Sequence, residues 1–229
     1  MKNIVAIVPA AGSGKRLKLK QAKPYVCLDG KPLLAHTLQV LEKSRKIKAI
    51  IVVVEKMQLA RARALVKKFG INKVTAIVAG GATRSESVLR ALAAVAPDTE
   101  FVLIHDGARP FASVALIDRC IRAALRHKAV ICAVPCAQTI KAVDKNLDVI
   151  STLERSVLWQ VQTPQVFAYS LLTRAYEKYK KGKVSFFDDA SLVEQLPYKV
   201  RVVPGTDTNI KITTLDDLKI ARALLKRER

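Results

Sequence analysis

The chain has 229 residues, 50% of them hydrophobic and 26% charged, so it is long and apolar enough to build a sizeable core and is not a disordered protein. Its 40 basic and 19 acidic residues give a formal net charge of +21, which predicts anionic ligands such as nucleotides, phosphorylated metabolites or nucleic acid. The 4 cysteines are too few for a disulfide scaffold, and no apolar run reaches the ~18 residues of a membrane span. We expect one cytoplasmic globular domain over 1–229, with its cysteines as buried thiols.

Short apolar runs alternate with amphipathic segments through the first part of the chain. The runs predict strands at 3–10, 49–56, 73–81, 101–110 and 129–135. The amphipathic segments predict helices at 32–44, 58–70, 85–96 and 114–128. This alternation predicts a Rossmann-like, three-layer α/β/α fold with a mostly parallel twisted sheet. In such folds ligands bind at the carboxyl ends of the strands.

Residues 138–165 break this rhythm. Apolar and polar residues alternate on both sides of the turn signal 144–146, which predicts a protruding β-arm over 138–165. Beyond the arm the pattern predicts two helices, then a strand and a terminal helix, at 169–180, 188–196, 199–204 and 214–227. A lone hairpin cannot shield its apolar residues from water, so the arm needs a partner surface.

Polar clusters follow several predicted strands, at 10–16, 80–87, 106–109 and Thr139. The first is a loop of small residues after the first strand. Its spacing does not fit a P-loop, and Leu17 stands where a dinucleotide fingerprint has its third glycine. Small residues let backbone N–H groups approach an anion closely, although the same loop also suits a tight structural turn.

Longer motifs distinguish these alternatives. They are IVPAAGSGKR, KPYVCLDGKPLLAHTL, GGATRSESV, HDGARPF, QTIK, RSVLWQVQTPQVF, DDASLVE and TNIKITTLDDL. In this order, over nearly the whole chain, the sequence resembles the 2-C-methyl-D-erythritol 4-phosphate cytidylyltransferase family.

The resemblance implies an enzyme that transfers CMP from CTP to 2-C-methyl-D-erythritol 4-phosphate, in non-mevalonate isoprenoid biosynthesis. It places Arg16 and Lys23 on the triphosphate as catalytic cations. It places Asp106 at the Mg²⁺ ion or the substrate hydroxyls. The nucleophile is a phosphate oxygen that is already charged, so cations are needed and a general base is not.

The resemblance also implies the binding residues. For the nucleotide they are Ala10, Ala11, Gly12, Gly14, Gly81 and Ser87. For the metabolite they are Asp106, Arg109, Thr139, Arg155, Thr163 and Lys211. In the family the arm packs against a second subunit and completes its pocket, so a homodimer is implied.

The sequence departs from the family pattern at three positions, Ala82, Gln138 and Phe187. These departures affect the predicted contacts and leave the reaction class unchanged. Two alternatives stay open at this point. One is a ribitol 5-phosphate cytidylyltransferase, which shares the fold, the nucleotide and most motifs. The other is a basic nucleic-acid-binding domain, suggested by the net charge alone.

Overall fold

The computed structural model describes residues 2–12, 14, 21–181 and 187–227. Its strands are β1 (Ile4–Pro9), β2 (Cys27–Leu28), β3 (Lys31–Pro32), β4 (Ala49–Val54), β5 (Val74–Ala79), β6 (Phe101–Ile104), β7 (Ala129–Pro135), β8 (Lys141–Val143), β9 (Val149–Thr152), β10 (Trp159–Ala168) and β11 (Arg201–Pro204). Its helices are α1 (Leu33–Lys43), α2 (Leu59–Lys68), α3 (Arg84–Leu92), α4 (Val114–His127), α5 (Tyr169–Lys181), α6 (Asp189–Val193) and α7 (Leu215–Arg227).

Seven strands form the central sheet, in the order β11-β7-β10-β6-β1-β4-β5. The pairs β1–β4, β1–β6, β4–β5 and β11–β7 are parallel, and β10 runs antiparallel to both of its neighbours. The chain leaves β1 for β4 on one side and later returns to place β6 on the other. That reversal creates a crevice at the carboxyl ends of β1 and β6, where such folds bind ligands. The predicted fold class is confirmed.

Alternate residues of each inner strand point to opposite sides of the sheet, and helices cover both sides. Both faces of the sheet are therefore buried. Ile4, Ala6 and Val8 of β1 join the core that packs against α1, α2 and α4. Val5 and Ile7 join the core that packs against α3, α5 and α6. This two-sided burial explains the continuous apolar runs in the sequence.

Polar caps fix where three helices begin. The Thr83 side chain accepts from the Glu86 N–H at the start of α3, and Ser113 accepts from the Leu116 N–H at the start of α4. Asp188 begins α6 through a capping box with Ser191. These contacts satisfy N–H groups that lack partners within the helix.

The predicted arm is shorter than 138–165. Only β8 and β9 form the hairpin, whereas residues 159–168 enter the central sheet as β10. The predicted end of the arm at 165 was therefore wrong, because 159–165 belong to the central sheet. This strand was not predicted, because Gln162 and Gln165 are polar and residues of this type are usually exposed. In the structure both are buried beside an irregularity in the β7–β10 pairing.

The arm exposes a set of large apolar side chains in this single chain. They are Val143, Leu147, Val149, Ile150, Leu153 and Val157. Ile140, just before β8, is half-buried. Exposed apolar groups gathered on one hairpin are typical of an interaction surface.

Two further expectations concern the cysteines and the membrane. Cys120, Cys132 and Cys136 are buried thiols as predicted, whereas Cys27 is exposed. Among the residues described above, no helix combines the length and the apolar character needed to cross a bilayer.

Candidate active site

A cleft of about 550 Å³ opens at the carboxyl ends of β1, β5 and β6. Its lining combines small residues, cations and two acidic groups, which are Glu55 after β4 and Asp106 after β6. Most predicted site residues line it, namely Ala10, Ala11, Gly12, Gly14, Lys23, Gly81, Ser87, Asp106 and Lys211. Arg16 lies outside the described residues.

Small residues let the loops of the cleft approach one another. Gly14 has a φ of +66°, and a Cβ placed there would lie 2.7 Å from the Lys23 Cβ. A Cβ on Gly80 would lie 2.5 Å from the Ala11 Cβ and 2.8 Å from the Ser87 Oγ. All three distances are shorter than side chains tolerate, so glycine is required at both positions. The loop after β1 is thereby held against Lys23 on one side and against the loop after β5 on the other.

The Ser87 hydroxyl organises the turn before α3. It accepts from the Gly81 N–H at 3.1 Å and donates to the Thr83 carbonyl at 2.9 Å. The serine thus shapes the rim of the cleft, which is a structural role.

Asp106 is surrounded by cations. Its Oδ1 lies 3.3 Å from Arg84 Nε, and its Oδ2 lies 2.7 Å from Lys211 Nζ and 3.8 Å from Arg109 Nε. Burial opposes ionisation, but the charges of Arg84, Lys211 and Arg109 outweigh it and hold the pKa of Asp106 well below its usual range. Asp106 is therefore a carboxylate at neutral pH, and the cations around it leave the cleft attractive to polyanions.

His105 and Thr163 support Asp106 from behind the cleft. The Asp106 N–H donates to the Thr163 hydroxyl at 3.0 Å, and that hydroxyl lies 3.1 Å from His105 Nδ1. His105 Nε2 lies 3.1 Å from the Arg109 carbonyl, which can only accept, so the neutral ring carries its proton on Nε2. Burial lowers the pKa of His105 to about 4. At neutral pH it is a neutral supporting group.

Arg109 and Lys211 are tied to the sheet by a residue that sequence reasoning did not single out. Asn209 is fully buried, and its carbonyl accepts from Arg109 Nη1 at 2.7 Å. Its amide donates to the Thr163 carbonyl at 2.9 Å and to Gln162 Oε1 at 3.0 Å. These bonds fix the segment that brings Lys211 to the cleft. The quoted motif TNIKITTLDDL contained the asparagine, but only burial shows its use.

Arg84 also pairs with a second carboxylate behind the cleft. Its Nη1 lies 2.6 Å from Asp189 Oδ2, and the other oxygen of Asp189 accepts from the Tyr176 hydroxyl at 2.6 Å. Burial opposes ionisation of Arg84, but Asp189 and Asp106 outweigh it and raise the pKa of the guanidinium. The signal for Asp189 in the sequence was an acidic pair within the apolar stretch FFDDASLV.

Thr139 and Arg155 lie elsewhere. Both side chains are exposed near or on the arm, and neither lines the cleft of its own chain. Arg155 Nη1 donates to the Ala137 carbonyl at 3.3 Å. The structure of one chain therefore does not bring these two predicted metabolite contacts to Asp106.

Comparison with known proteins supports the interpretation of this cleft. Residues 4–227 match the family described as IspD, 2-C-methyl-D-erythritol 4-phosphate cytidylyltransferase. The chain belongs to this family. The predicted enzyme class, a nucleotidyltransferase, is thereby confirmed.

Curated relatives and solved structures agree with the family match. The 2-C-methyl-D-erythritol 4-phosphate cytidylyltransferase of Alkaliphilus metalliredigens is 43% identical, covering 99% of this chain and 94% of the relative. That of Syntrophus aciditrophicus is also 43% identical, covering 98% and 97%. The 4-diphosphocytidyl-2C-methyl-D-erythritol synthase structure from Anaerococcus prevotii has a TM-score of 0.87 at 37% identity, covering 98% and 96%. These cytidylyltransferase relatives give no support to the ribitol 5-phosphate alternative.

Proposed function

We propose that this chain transfers CMP from CTP to 2-C-methyl-D-erythritol 4-phosphate in the cytoplasm, as a step of non-mevalonate isoprenoid biosynthesis. The products are 4-diphosphocytidyl-2-C-methyl-D-erythritol and pyrophosphate. Family membership supports this activity. The observation that carries it is the cleft in which the small-residue loop, Lys23 and the cation-surrounded Asp106 meet.

The reaction is an in-line displacement at the α-phosphorus of CTP. A phosphate oxygen of the metabolite forms the new P–O bond, and the bond to the pyrophosphate oxygen breaks. The attacking oxygen is already anionic, so no proton has to be removed from it. This suits a site whose histidine, His105, is neutral and bonded at both ring nitrogens. The barrier is the approach of two polyanions, which cations lower.

The two substrates occupy different parts of the site in this proposal. Residues 10–12 and Gly14, together with the turn at Gly81 and Ser87, border the nucleotide, where these small residues admit a base and a triphosphate. Lys23 faces the triphosphate, with Arg16 assigned beside it by resemblance. Arg109, Thr163 and Lys211 contact Asp106 and are assigned to the metabolite, with Lys211 lining the cleft and the other two buried behind it.

The donor set fits a magnesium ion that is shared with the nucleotide. Mg²⁺ commonly binds one or two carboxylates and completes its octahedron with phosphate oxygens and water. Asp106 is an ionised carboxylate in the cleft, and its Oδ1 contact with Arg84 is the longer of its two hydrogen bonds. When bound, the ion would neutralise charge on the triphosphate. Asp106 would be its protein ligand.

A homodimer completes the site in this proposal. The arm exposes apolar side chains that a two-fold related copy would cover. Thr139 and Arg155 lie near or on the arm, outside their own cleft, so they are available to a partner. A bidentate arginine suits a phosphomonoester, and Arg155 would supply one to the second subunit.

The substrate assignment is tested by parallel assays. We expect kcat/KM for methylerythritol phosphate to exceed that for ribitol 5-phosphate by at least about tenfold, or roughly 1.4 kcal/mol. The assay follows pyrophosphate release from CTP and Mg²⁺ with each polyol phosphate. Equal rates, or faster turnover of ribitol 5-phosphate, would contradict the assignment.

The arm is tested by introducing charge into its apolar face. The double change Val143→Asp and Val149→Asp should weaken the dimer and raise KM for the metabolite, because both residues are exposed in the single chain and would face a partner. CTP affinity should stay nearly unchanged. Sedimentation velocity and CTP titration measure the two effects.

Lys145→Asp, at the turn of the same hairpin, tests whether any added acid on the arm has this effect. A parent protein that is a fully active monomer at micromolar concentration would contradict the dimer. Loss of CTP affinity in step with dimer loss would show that the arm supports the whole fold.

A further inference from the structure

Arg84 bridges two carboxylates that differ in their surroundings. Its Nε lies 3.3 Å from Oδ1 of Asp106 in the cleft, and its Nη1 lies 2.6 Å from Oδ2 of Asp189. Asp189 is the first residue of α6 and is 0% exposed. Its other oxygen accepts from the Tyr176 hydroxyl at 2.6 Å. A chain of contacts thus runs from α5 through Asp189 and Arg84 to Asp106.

The contacts of Asp189 point to a purpose beyond stability. A buried carboxylate costs free energy unless it is paired and hydrogen-bonded, so the groups that pair with Asp189 indicate its role. The neighbouring Asp188 provides the cap of α6, so Asp189 is not needed for that role. Its carboxylate accepts hydrogen bonds from Tyr176 and Arg84.

The planar guanidinium of Arg84 passes the restraint imposed by Asp189 on to Asp106. When Nη1 is bound to Asp189, the direction of the Nε–H bond is fixed as well, because both nitrogens belong to one rigid plane. Lys211 holds the other oxygen of Asp106 at 2.7 Å. The carboxylate of Asp106 is therefore restrained on both oxygens, and Asp189 supplies the anchor for one of the two.

We propose that Asp189, braced by Tyr176, is a positioning residue that fixes Arg84 and thereby orients Asp106 for nucleotidyl transfer. Asp189 also draws the Arg84 charge toward the protein interior, leaving the triphosphate to Lys23. This inference depends on the proposed function only for its readout.

A double-mutant cycle tests the proposal. Asp189→Asn and Arg84→Gln should each lower kcat by about tenfold or more, with KM for CTP and for the metabolite changed less than about threefold. The combined variant should be no slower than the slower single variant, because both changes break the same connection. Independent losses that multiply would overturn the proposal, as would Asp189→Asn with parental kcat.

Matched variants separate positioning from folding. Asp188→Asn changes the adjacent acid to another good cap, so it should keep kcat within about twofold. Asp189→Asn leaves the Arg84 charge with a weaker partner and can unfold the protein. If Asp189→Asn unfolds the protein, two other variants test the proposal. They are the combined Arg84→Gln and Asp189→Asn variant and Tyr176→Phe, with thermal unfolding recorded for each.

Tyr176→Phe keeps the ring in the core and removes the hydroxyl that donates to Asp189. It should lower kcat by about threefold, less than Asp189→Asn. Parental kcat in Tyr176→Phe, or a loss in Asp188→Asn as large as that in Asp189→Asn, would overturn the proposal. A parent enzyme without cytidylyltransferase activity would instead refute the proposed function, and the two failures are distinguishable.

Discussion

Replacing Lys23 with alanine should lower kcat by about 100-fold, or about 2.7 kcal/mol of transition-state stabilisation. Lys23 lines the cleft, and the closeness of Gly14 holds the loop after β1 against it. In the proposed function its charge faces the triphosphate, on which negative charge develops as the pyrophosphate leaves. Contacts that strengthen in the transition state act on kcat more than on KM. Steady-state kinetics with both substrates measures the effect.

Lys67→Ala is the matched control, because it removes the same charge from an exposed position on α2. It should leave kcat within about twofold of the parent value. Arg155→Ala and Lys211→Ala provide the contrast, since they should mainly raise KM for the metabolite. A Lys23→Ala enzyme with parental kcat would refute this division of labour. Arg16→Ala is expected from the sequence to behave like Lys23→Ala.

Replacing Asp106 with asparagine should lower kcat by at least about 100-fold while KM for CTP stays the same or falls. The amide keeps the size of the side chain but removes the negative charge that faces Arg84, Lys211 and Arg109. The cleft becomes more positive, so a triphosphate is held at least as well. The ligand proposed for the metal is lost, so the transferred group is less well stabilised. Kinetics and a CTP titration separate the two effects.

Asp216→Asn serves as the control for this substitution. Its carboxylate forms an exposed pair with Lys219 on α7, away from the cleft. Exposed pairs of this kind contribute little, so kcat and KM should stay near parental values. An Asp106→Asn enzyme that loses CTP affinity but keeps kcat would contradict the assigned role.

Much of the fold could be predicted because burial and sequence pattern agree. The continuous apolar runs of β1, β4 and β7 are buried on both faces, and only a covered sheet allows this. The strand β10 was not predicted, because its burial and its sequence pattern disagree. Gln162 and Gln165 look like surface residues in sequence, but their amides donate to the Thr206 carbonyl and the Asp188 carboxylate. Buried polar groups whose hydrogen-bond partners lie in distant parts of the chain produce no periodic pattern in the sequence.

The site was predictable where residues follow strand ends and where motifs resemble the family. Lys23, Asp106 and Lys211 come from distant parts of the chain, and the structure brings all three to the cleft. Residues that act through another residue were not predictable in the same way. Asp189 and Asn209 hydrogen-bond to Arg84 and Arg109 from inside the protein, and their roles are inferred from these partners. Sequence spacing does not contain that information.

The arm has a simple topological origin with an evolutionary consequence. Strands β7 and β10 are paired neighbours, with Trp159 opposite Pro135, and the Cys136 N–H donates to the Leu158 carbonyl at 2.9 Å. Residues 137–157 are thus the loop of a long hairpin, and their ends meet. Insertions or deletions between those ends leave the register of the central sheet unchanged. The length and sequence of this segment can therefore diversify without disturbing the central sheet, and a short Asn-Gly turn is the direct way to join the two strand ends without it.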